Sequence, residues 1–382
     1  MKLQRLSLET FRNHEQTTID CSSEVNLFLG DNGEGKTNIL EGISYLCLSK
    51  SFYAANDTVV MNVNTNTFAA TGSFLSDGNI FYEVRVTFDK LQNQKKITVN
   101  KAKIDKASSL IGQFPVVILS PEQSSITSGS PSDRRHFVDF VVSQSSRTYL
   151  ECLIDYRRIL KQRNKILSDM LFSHKENTSA IEPWNENLVN IGAILIRKRT
   201  EFIEDFQSLV IDSYATLAGT AEQPVISYLP SFECGAGNGS EIENFFHQAL
   251  QERYQEERRN GYSLVGPHRD EFILQINKLD ARNFASQGQH KTLLIALKLA
   301  EFFYLKERCN ETPILLLDDV LSEMDRYRSQ RLLEAIAKLG QVFVTSTDER
   351  ALNWMPIASS NPRKFFVKKG KIDRVEDATY IR

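Results

Sequence analysis

Directly after the apolar run VNLFL the chain reads GDNGEGKTN, that is Gly30, Asp31, Asn32, Gly33, Glu34, Gly35, Lys36, Thr37 and Asn38. Gly30, Gly35, Lys36 and Thr37 fit the spacing G-x-x-x-x-G-K-[ST], whose chemistry is phosphate binding. Glycines let backbone N–H groups converge on an anion, and the helix that follows adds its positive end. A lysine at this position reaches the β- and γ-phosphates of ATP, and the threonine hydroxyl ligates Mg2+. A chance glycine turn could carry the same letters. Here the context is right, with a buried strand before the loop and a helical pattern, NILEGISYLCL, after it.

A phosphate loop needs a second acid for its magnesium, at the end of a neighbouring buried strand. PILLLDD supplies it: four apolar residues, then Asp318 and Asp319. Asp318 is expected in the Mg2+ shell. Asp319 is expected to orient or deprotonate an attacking water, which makes it, with Lys36, the catalytic candidate. Two adjacent carboxylates ending a core strand are costly to place without a cation. In small P-loop kinases the second acid comes much sooner after the loop. A third stretch, ASQGQHKT, opens a long helical pattern. Ser286, Gln287, Gly288 and Gln289 offer a hydroxyl, amides and a helix N-terminus, a further anion site. Taken alone they are also a plain helix cap.

The elements that must position these groups are legible as runs. KLQRLSL and EVNLFLG read as strands, and FAATGSF, IFYEVRVTF and KKITVN as an antiparallel meander. FPVVILSP, PILLLDDV and QVFVTSTD read as buried strands, and Gly370 is placed for a hairpin in FFVKKGKIDRV. From about 132 to 218 the pattern turns helical, with Leu188, Ile191, Leu195, Phe202, Phe206 and Leu209 forming one apolar stripe and Pro183 standing where a helix would start. ECGAGNGSE reads as a loop closing that region, and Ser322 with Asp325 as a helix start that Gly340 ends. The expected architecture is α/β, with an ATPase domain of mixed sheets over 1–125 and 255–382 and a compact, mainly helical lobe over 126–254.

With 41% apolar and 25% charged residues the 382-residue chain has an ordinary globular composition, and its formal net charge of −2 places any nucleic-acid contact on local basic clusters. The five cysteines form no CxxC pair, which argues against a disulfide framework or a zinc site. The N-terminus turns polar at once and no apolar run approaches a membrane span, so a cytoplasmic protein without a membrane partner is expected. YRRILKQRNK carries Arg157, Arg158, Lys161, Arg163 and Lys165 without an acid, and IRKRT adds Arg197, Lys198 and Arg199. Such runs are often solvated faces, but they also suit DNA phosphates, which fix position without reading sequence. Arg134 and Arg135 could be DNA contacts or lobe-packing residues, and His268 with Arg269 reads as a hydrogen-bonded turn.

The order GDNGEGKTN, SPEQ, GSPSDRRHFVDF, GPHRDEF, ASQGQHKT, LLLDDVLSEMD, TSTD resembles the RecF family of bacterial recombination mediators, ABC-type ATPases related to SMC proteins. The resemblance covers nearly the whole chain. It implies that SQGQ is a signature motif acting in trans on the γ-phosphate of a partner subunit, with Ser286, Gly288 and Gln289 as nucleotide contacts. It also implies that LSEMD is a D-loop, that TSTD stands where transporters carry a switch histidine, and that Arg12 and Asn13 approach the nucleotide. Tyr53, where the family commonly has arginine, and Gln123, where an acid is more usual, depart from the pattern. The implied activity is a weak ATPase that dimerises on ATP and Mg2+. It would bind gapped or single-strand/double-strand junction DNA and, with RecO and RecR, help load RecA. The intervening helical region lacks the long heptad arm of larger SMC-like proteins. The alternative is a P-loop phosphotransferase acting on a small substrate, with a monomeric site and no role for ASQGQ.

Overall fold

The computed structural model describes residues 1–53, 56–173, 178–234, 239–320, 326–337, 339–347 and 362–377. The chain divides into two compact units. One comprises Met1–Ser124, Asp212–Ala221 and Lys291–Arg382, the other Ser125–Ile211 and Glu222–His290. Residues 255–290 therefore group with the helical unit, whereas the sequence reading had assigned them to the ATPase domain. Within that stretch 271–276 and 279–280 form a sheet with 224–229 of the same unit.

The first unit holds two six-stranded sheets. One is antiparallel throughout, in the order β2 (His14–Asp20), β1 (Lys2–Phe11), β4 (Thr67–Leu75), β5 (Phe81–Asp89), β6 (Gln94–Val99), β7 (Ala102–Ile104). It includes the meander read from the sequence. The other runs β15 (Lys371–Asp377), β14 (Arg363–Lys368), β3 (Val25–Leu29), β13 (Val342–Ser346), β12 (Ile314–Leu317), β8 (Val116–Leu119). Its pairs are parallel except the terminal hairpin β14/β15. Every residue of β3, β8, β12 and β13 is buried, which is why these strands read as unbroken apolar runs rather than alternating ones.

Helix α1 (Lys36–Leu48) is pinned by an aromatic trio. Phe11 of β1, Tyr45 of α1 and Phe68 of β4 meet edge to face, with centroids 5.4–5.6 Å apart. Short α2 (Asp57–Val60) and, on the C-terminal side, α10 (Arg326–Ile336) complete the helices confined to this unit. Ser322 and Asp325, read as the start of that last helix, lie outside the described residues, as do LSEMD and the aspartate of TSTD.

The second unit is built from α3 (Ser125–Ser128), α4 (Pro131–Ser145), α5 (Arg147–Ser173), α6 (Thr178–Ala218), α7 (Gly239–Asn260) and α8 (Ala281–Phe284), with β11 (Leu279–Asp280), β10 (Glu271–Ile276) and β9 (Pro224–Leu229) forming a three-stranded antiparallel sheet. Helix α6 runs on to residue 218 in the first unit, and α9 (Gln287–Cys309) begins in the second unit and runs into the first. Neither α7 nor β9 was anticipated from the sequence. Pro183 sits in the second turn of α6 instead of at its start, where its missing N–H removes one helical bond.

Buried charge ties the helices of this unit together. Arg163 has no exposed surface. Its guanidinium donates to Asn185 Oδ1 (2.7 Å), Ser263 Oγ (2.6 Å) and Glu257 Oε2 (2.6 Å). Arg199 donates to Asp139 Oδ1 (2.8 Å), Pro267 O (2.6 Å), Asp270 Oδ2 (3.3 Å) and the Tyr149 hydroxyl (3.0 Å). Both arginines were expected at a DNA surface. Both are internal, because acids distant in sequence neutralise them inside the unit. Arg134, against Glu271 Oε1 at 2.6 Å, and Arg135, donating to Asp270 O at 2.7 Å, are likewise packing residues. His268 is a hydrogen-bonded turn residue, with Nδ1 2.8 Å from the Tyr156 hydroxyl, and burial pushes its imidazole down to about 3.

Replacing Arg163 by methionine keeps the bulk but strands Glu257 as a buried, unpaired charge. Such a loss costs about 3–5 kcal/mol. Urea denaturation of Arg163→Met is expected to show a drop of that order, with Lys161→Met on the solvent side of the same helix staying within about 0.5 kcal/mol of the parent.

Candidate nucleotide site

The loop of residues 30–35 leaves the end of β3 and delivers its chain into α1. Two turns from elsewhere grip it. From the β1–β2 turn, Asn13 Nδ2 donates to Glu34 O (3.1 Å), and Asn38 Nδ2 donates back to Asn13 Oδ1 (2.7 Å). His14 is fully buried, with Nε2 3.0 Å from Gly35 O and Nδ1 2.9 Å from Thr17 Oγ1, and burial lowers its pKa. From the β14–β15 turn, Gly370 N donates to Glu34 O (2.9 Å) and Lys369 N to the Glu34 carboxylate. Gly35 (φ 109°) and Gly370 (φ 71°) are both left-handed. A Cβ on Gly35 would lie 2.5 Å from Asn13 Oδ1, and one on Gly370 2.0 Å from Asn13 O.

Lys36 folds back over the loop and donates to Gly30 O and Asp31 O, each at 2.8 Å. Burial lowers its pKa, while the carboxylates of Asp319 and Asp318 oppose that shift. Thr37 Oγ1 donates to both oxygens of Asp318, at 2.8 and 3.0 Å. The site thus joins β3, which carries the loop, to β12, which Asp318 directly follows. Burial raises the pKa of Asp318, and hydrogen bonds from Thr345 and Thr37 counter it. Asp319 follows with a left-handed backbone, φ 48°.

A hydroxyl and a carboxylate held against each other at the loop are hard oxygen donors that suit magnesium, whose remaining ligands come from phosphate and water. Among the described residues no cluster of three or more His, Cys, Asp or Glu offers a complete metal site.

Arg12 is anchored within the first unit. Its guanidinium makes a two-pronged pair with Glu41, at 2.7 and 2.8 Å, and donates to Val59 O at 2.9 Å. Glu41 is buried and also accepts from Ser51. The pair fixes the β1–β2 turn that presents Asn13. The sequence gives no sign of His14 or Glu41 at the loop, nor that the hairpin at Gly370 reaches it. Their contacts to the loop are set by tertiary structure and leave no local signature. Tyr53 is exposed, with Glu122 raising its pKa.

Ser286 caps α9 reciprocally with Gln289. Ser286 N donates to Gln289 Oε1 (2.8 Å) and Gln289 N to Ser286 Oγ (3.3 Å), while Gln289 Nε2 reaches Glu222 Oε1 (2.8 Å). Ser286 and Gln287 are exposed and Gly288 is half-buried. Of the remaining DNA candidates, Arg157 pairs with Asp139, Arg158 with Asp155, and Arg197 and Lys198 with Glu201. Lys161 and Lys165 are exposed, with no ion pair among the described residues.

A glycine loop on a parallel sheet, a distant acid on a neighbouring strand and a capped serine–glutamine helix start together define an ATPase of the ABC type. The family described as RecF/RecN/SMC N terminal domain matches residues 2–372. The chain is 38% identical to the DNA replication and repair protein RecF of Chloroherpeton thalassium, covering 92% of this chain and 96% of that one. With the RecF of Staphylococcus aureus it shares 34% identity, over 97% of this chain and all of the relative. A solved structure of the recombination mediator protein RecF with ATP in the RecFOR pathway matches with a TM-score of 0.88 at 27% identity, over 99% of this chain and 98% of that one. The chain belongs to the RecF family.

Because a methyl on Gly370 would meet the Asn13 backbone, Gly370→Ala is expected to weaken binding of a fluorescent ATP analogue and to lower the melting temperature. Gly78→Ala, at a position with its nearest contact 3.7 Å away, should change neither, as titration and melting would reveal.

Proposed function

We propose that the chain is an ATP-gated DNA clamp serving as a recombination mediator. The observation that carries this reading is the loop–strand arrangement in which Lys36, Thr37 and Asp318 converge at the carboxyl ends of β3 and β12, within a chain of the RecF family. In this reading Lys36 exchanges its two loop carbonyls for the β- and γ-phosphates of ATP. Thr37 and Asp318 hold the cation site, where Mg2+ supplies charge neutralisation of the phosphates. Asp319, half-buried beside Asp318, orients the attacking water. Asn13 and Asn38 keep the loop in shape, and Arg12, held by Glu41, approaches the nucleotide with its remaining N–H groups.

Two protomers then close so that Ser286, Gly288 and Gln289 of each complete the nucleotide site of the other. ATP acts as a ligand favouring the closed dimer, with leverage equal to its differential affinity for that state. Hydrolysis, slow and DNA-stimulated, reopens it. DNA, as a gap or a single-strand/double-strand junction, lies against the helical units. Lys161 and Lys165 are the most available phosphate contacts, and Arg157, Arg158, Arg197 and Lys198 would have to leave surface ion pairs that are individually weak. Binding then weakens with salt in proportion to the phosphates contacted. RecO, RecR and RecA are the proposed protein partners, and the setting is cytoplasmic. Among the described residues no helix is long and apolar enough to cross a membrane.

Light scattering of Asp319→Asn with and without Mg·ATP tests the clamp. A doubling of mass with ATP alone is expected, and Ser286→Arg in the same background should bind ATP yet stay monomeric. A protein that binds ATP and remains monomeric throughout, with and without DNA, would sink the proposed closure.

A further inference from the structure

The central strand of the parallel sheet is β13, flanked by β3, which leads into the phosphate loop, and by β12, which leads into Asp318. Near its carboxyl end stands Thr345, 1% exposed and opposite Phe28 of β3. One hydroxyl there does two things at once. Thr345 Oγ1 donates to Asp318 Oδ1 at 2.7 Å and accepts from Asp319 N at 2.9 Å. It therefore touches the carboxylate of one acid and the backbone of the next. We propose that Thr345 is the positioning residue of the two acids, holding Asp318 for the cation and fixing the backbone from which Asp319 projects. This inference rests on the nucleotide-site reading above.

The two donors on Asp318 are not equivalent. Thr37 contacts both carboxylate oxygens, whereas Thr345 contacts Oδ1 alone. A threonine hydroxyl would ligate a cation through an oxygen lone pair and keep its O–H for a carboxylate, so Thr37 is shared between Asp318 and the cation site. Thr345, which has no other assigned task, keeps its proton on Oδ1 and leaves Oδ2 to the Thr37 side. That is the role of an outer ligand: it sets the direction and basicity of an inner one, and its loss typically reduces metal affinity about 10–100-fold.

The second contact concerns Asp319. A non-glycine residue at φ 48° occupies a sparsely populated backbone region and persists there only where its surroundings over-determine it. The bond from Asp319 N to Thr345 Oγ1 is such a determinant. Valine at 345 would keep the shape of the side chain and remove both contacts together. Serine would keep both.

The test is the affinity of a fluorescent ATP analogue in Mg2+ and in EDTA for the wild type, Thr345→Val, Thr345→Ala and Thr345→Ser, each with its melting curve. The wild type should gain affinity with Mg2+. Thr345→Val and Thr345→Ala should lose about tenfold or more of that gain while keeping the EDTA affinity, and Thr345→Ser should retain it. A Mg2+ gain unchanged in the valine and alanine variants overturns the inference. An equal loss in Mg2+ and EDTA, or collapse of both variants while Thr345→Ser melts normally, assigns Thr345 a structural role only and overturns it too. A wild type that binds no nucleotide, or gains nothing from Mg2+, fails the nucleotide-site reading itself.

Discussion

The carboxylate of Asp318 is buried at the end of a strand that has no exposed residue, and much of the first unit follows from having to satisfy it. An uncompensated ionised acid in that position costs several kcal/mol even after local relaxation. Its compensation comes from neutral donors on either side, Thr37 at the start of α1 and Thr345 on β13. Those donors can meet it only if β3, β13 and β12 lie side by side, parallel and in register, with their carboxyl ends together. That arrangement requires joining the first thirty residues to the last quarter of the chain, with the whole second unit inserted between them.

The same logic governs the phosphate loop. Converging N–H groups and left-handed glycines make an anion site, but a loop of that kind has little side-chain packing of its own. It is held instead by two hairpin turns, one from the N-terminal sheet through Asn13 and His14, the other from the C-terminal hairpin through Lys369 and Gly370. Thr17 Oγ1 donates to Gly370 O at 3.1 Å, closing the ring between the two turns. The Arg12–Glu41 pair belongs to this support.

What was legible in the sequence was local or periodic. The strand, loop and helix around Lys36 lie within some twenty-five residues, and β8, β12 and β13 announce themselves because burial on both faces selects unbroken apolar runs. Gly370 marked its hairpin because only that backbone makes the turn without cost. The basic helices misled in part. Arg163 and Arg199 look like their exposed neighbours, but their neutralising acids stand 94 and 60 positions away, at Glu257 and Asp139. No window-based reading sees such a pair. Helix α7 was missed because its QERYQEERRN half is dominated by charge, and β9 because it begins at a proline beside glycine-rich turns. Thr345 was inside a noticed motif, yet its role depends on which strand lies beside which.

The start of α9 shows how a cap and an anion site can be one device. The amides that a phosphate would take there are already occupied, Ser286 N by the Gln289 side chain and Gln289 N by the Ser286 hydroxyl. Under the proposed closure, phosphate contact exchanges those bonds for charge-assisted ones, which are roughly twice as strong as neutral pairs. The exchange releases the Gln289 side chain, and that side chain is tied on its other end to Glu222. A carboxylate near the helix N-terminus satisfies the same positive end that an incoming phosphate seeks. The free protein therefore stores a modest, reversible competitor at this helix. Under the proposed closure a nucleotide has to displace it, which would tie closure to ATP.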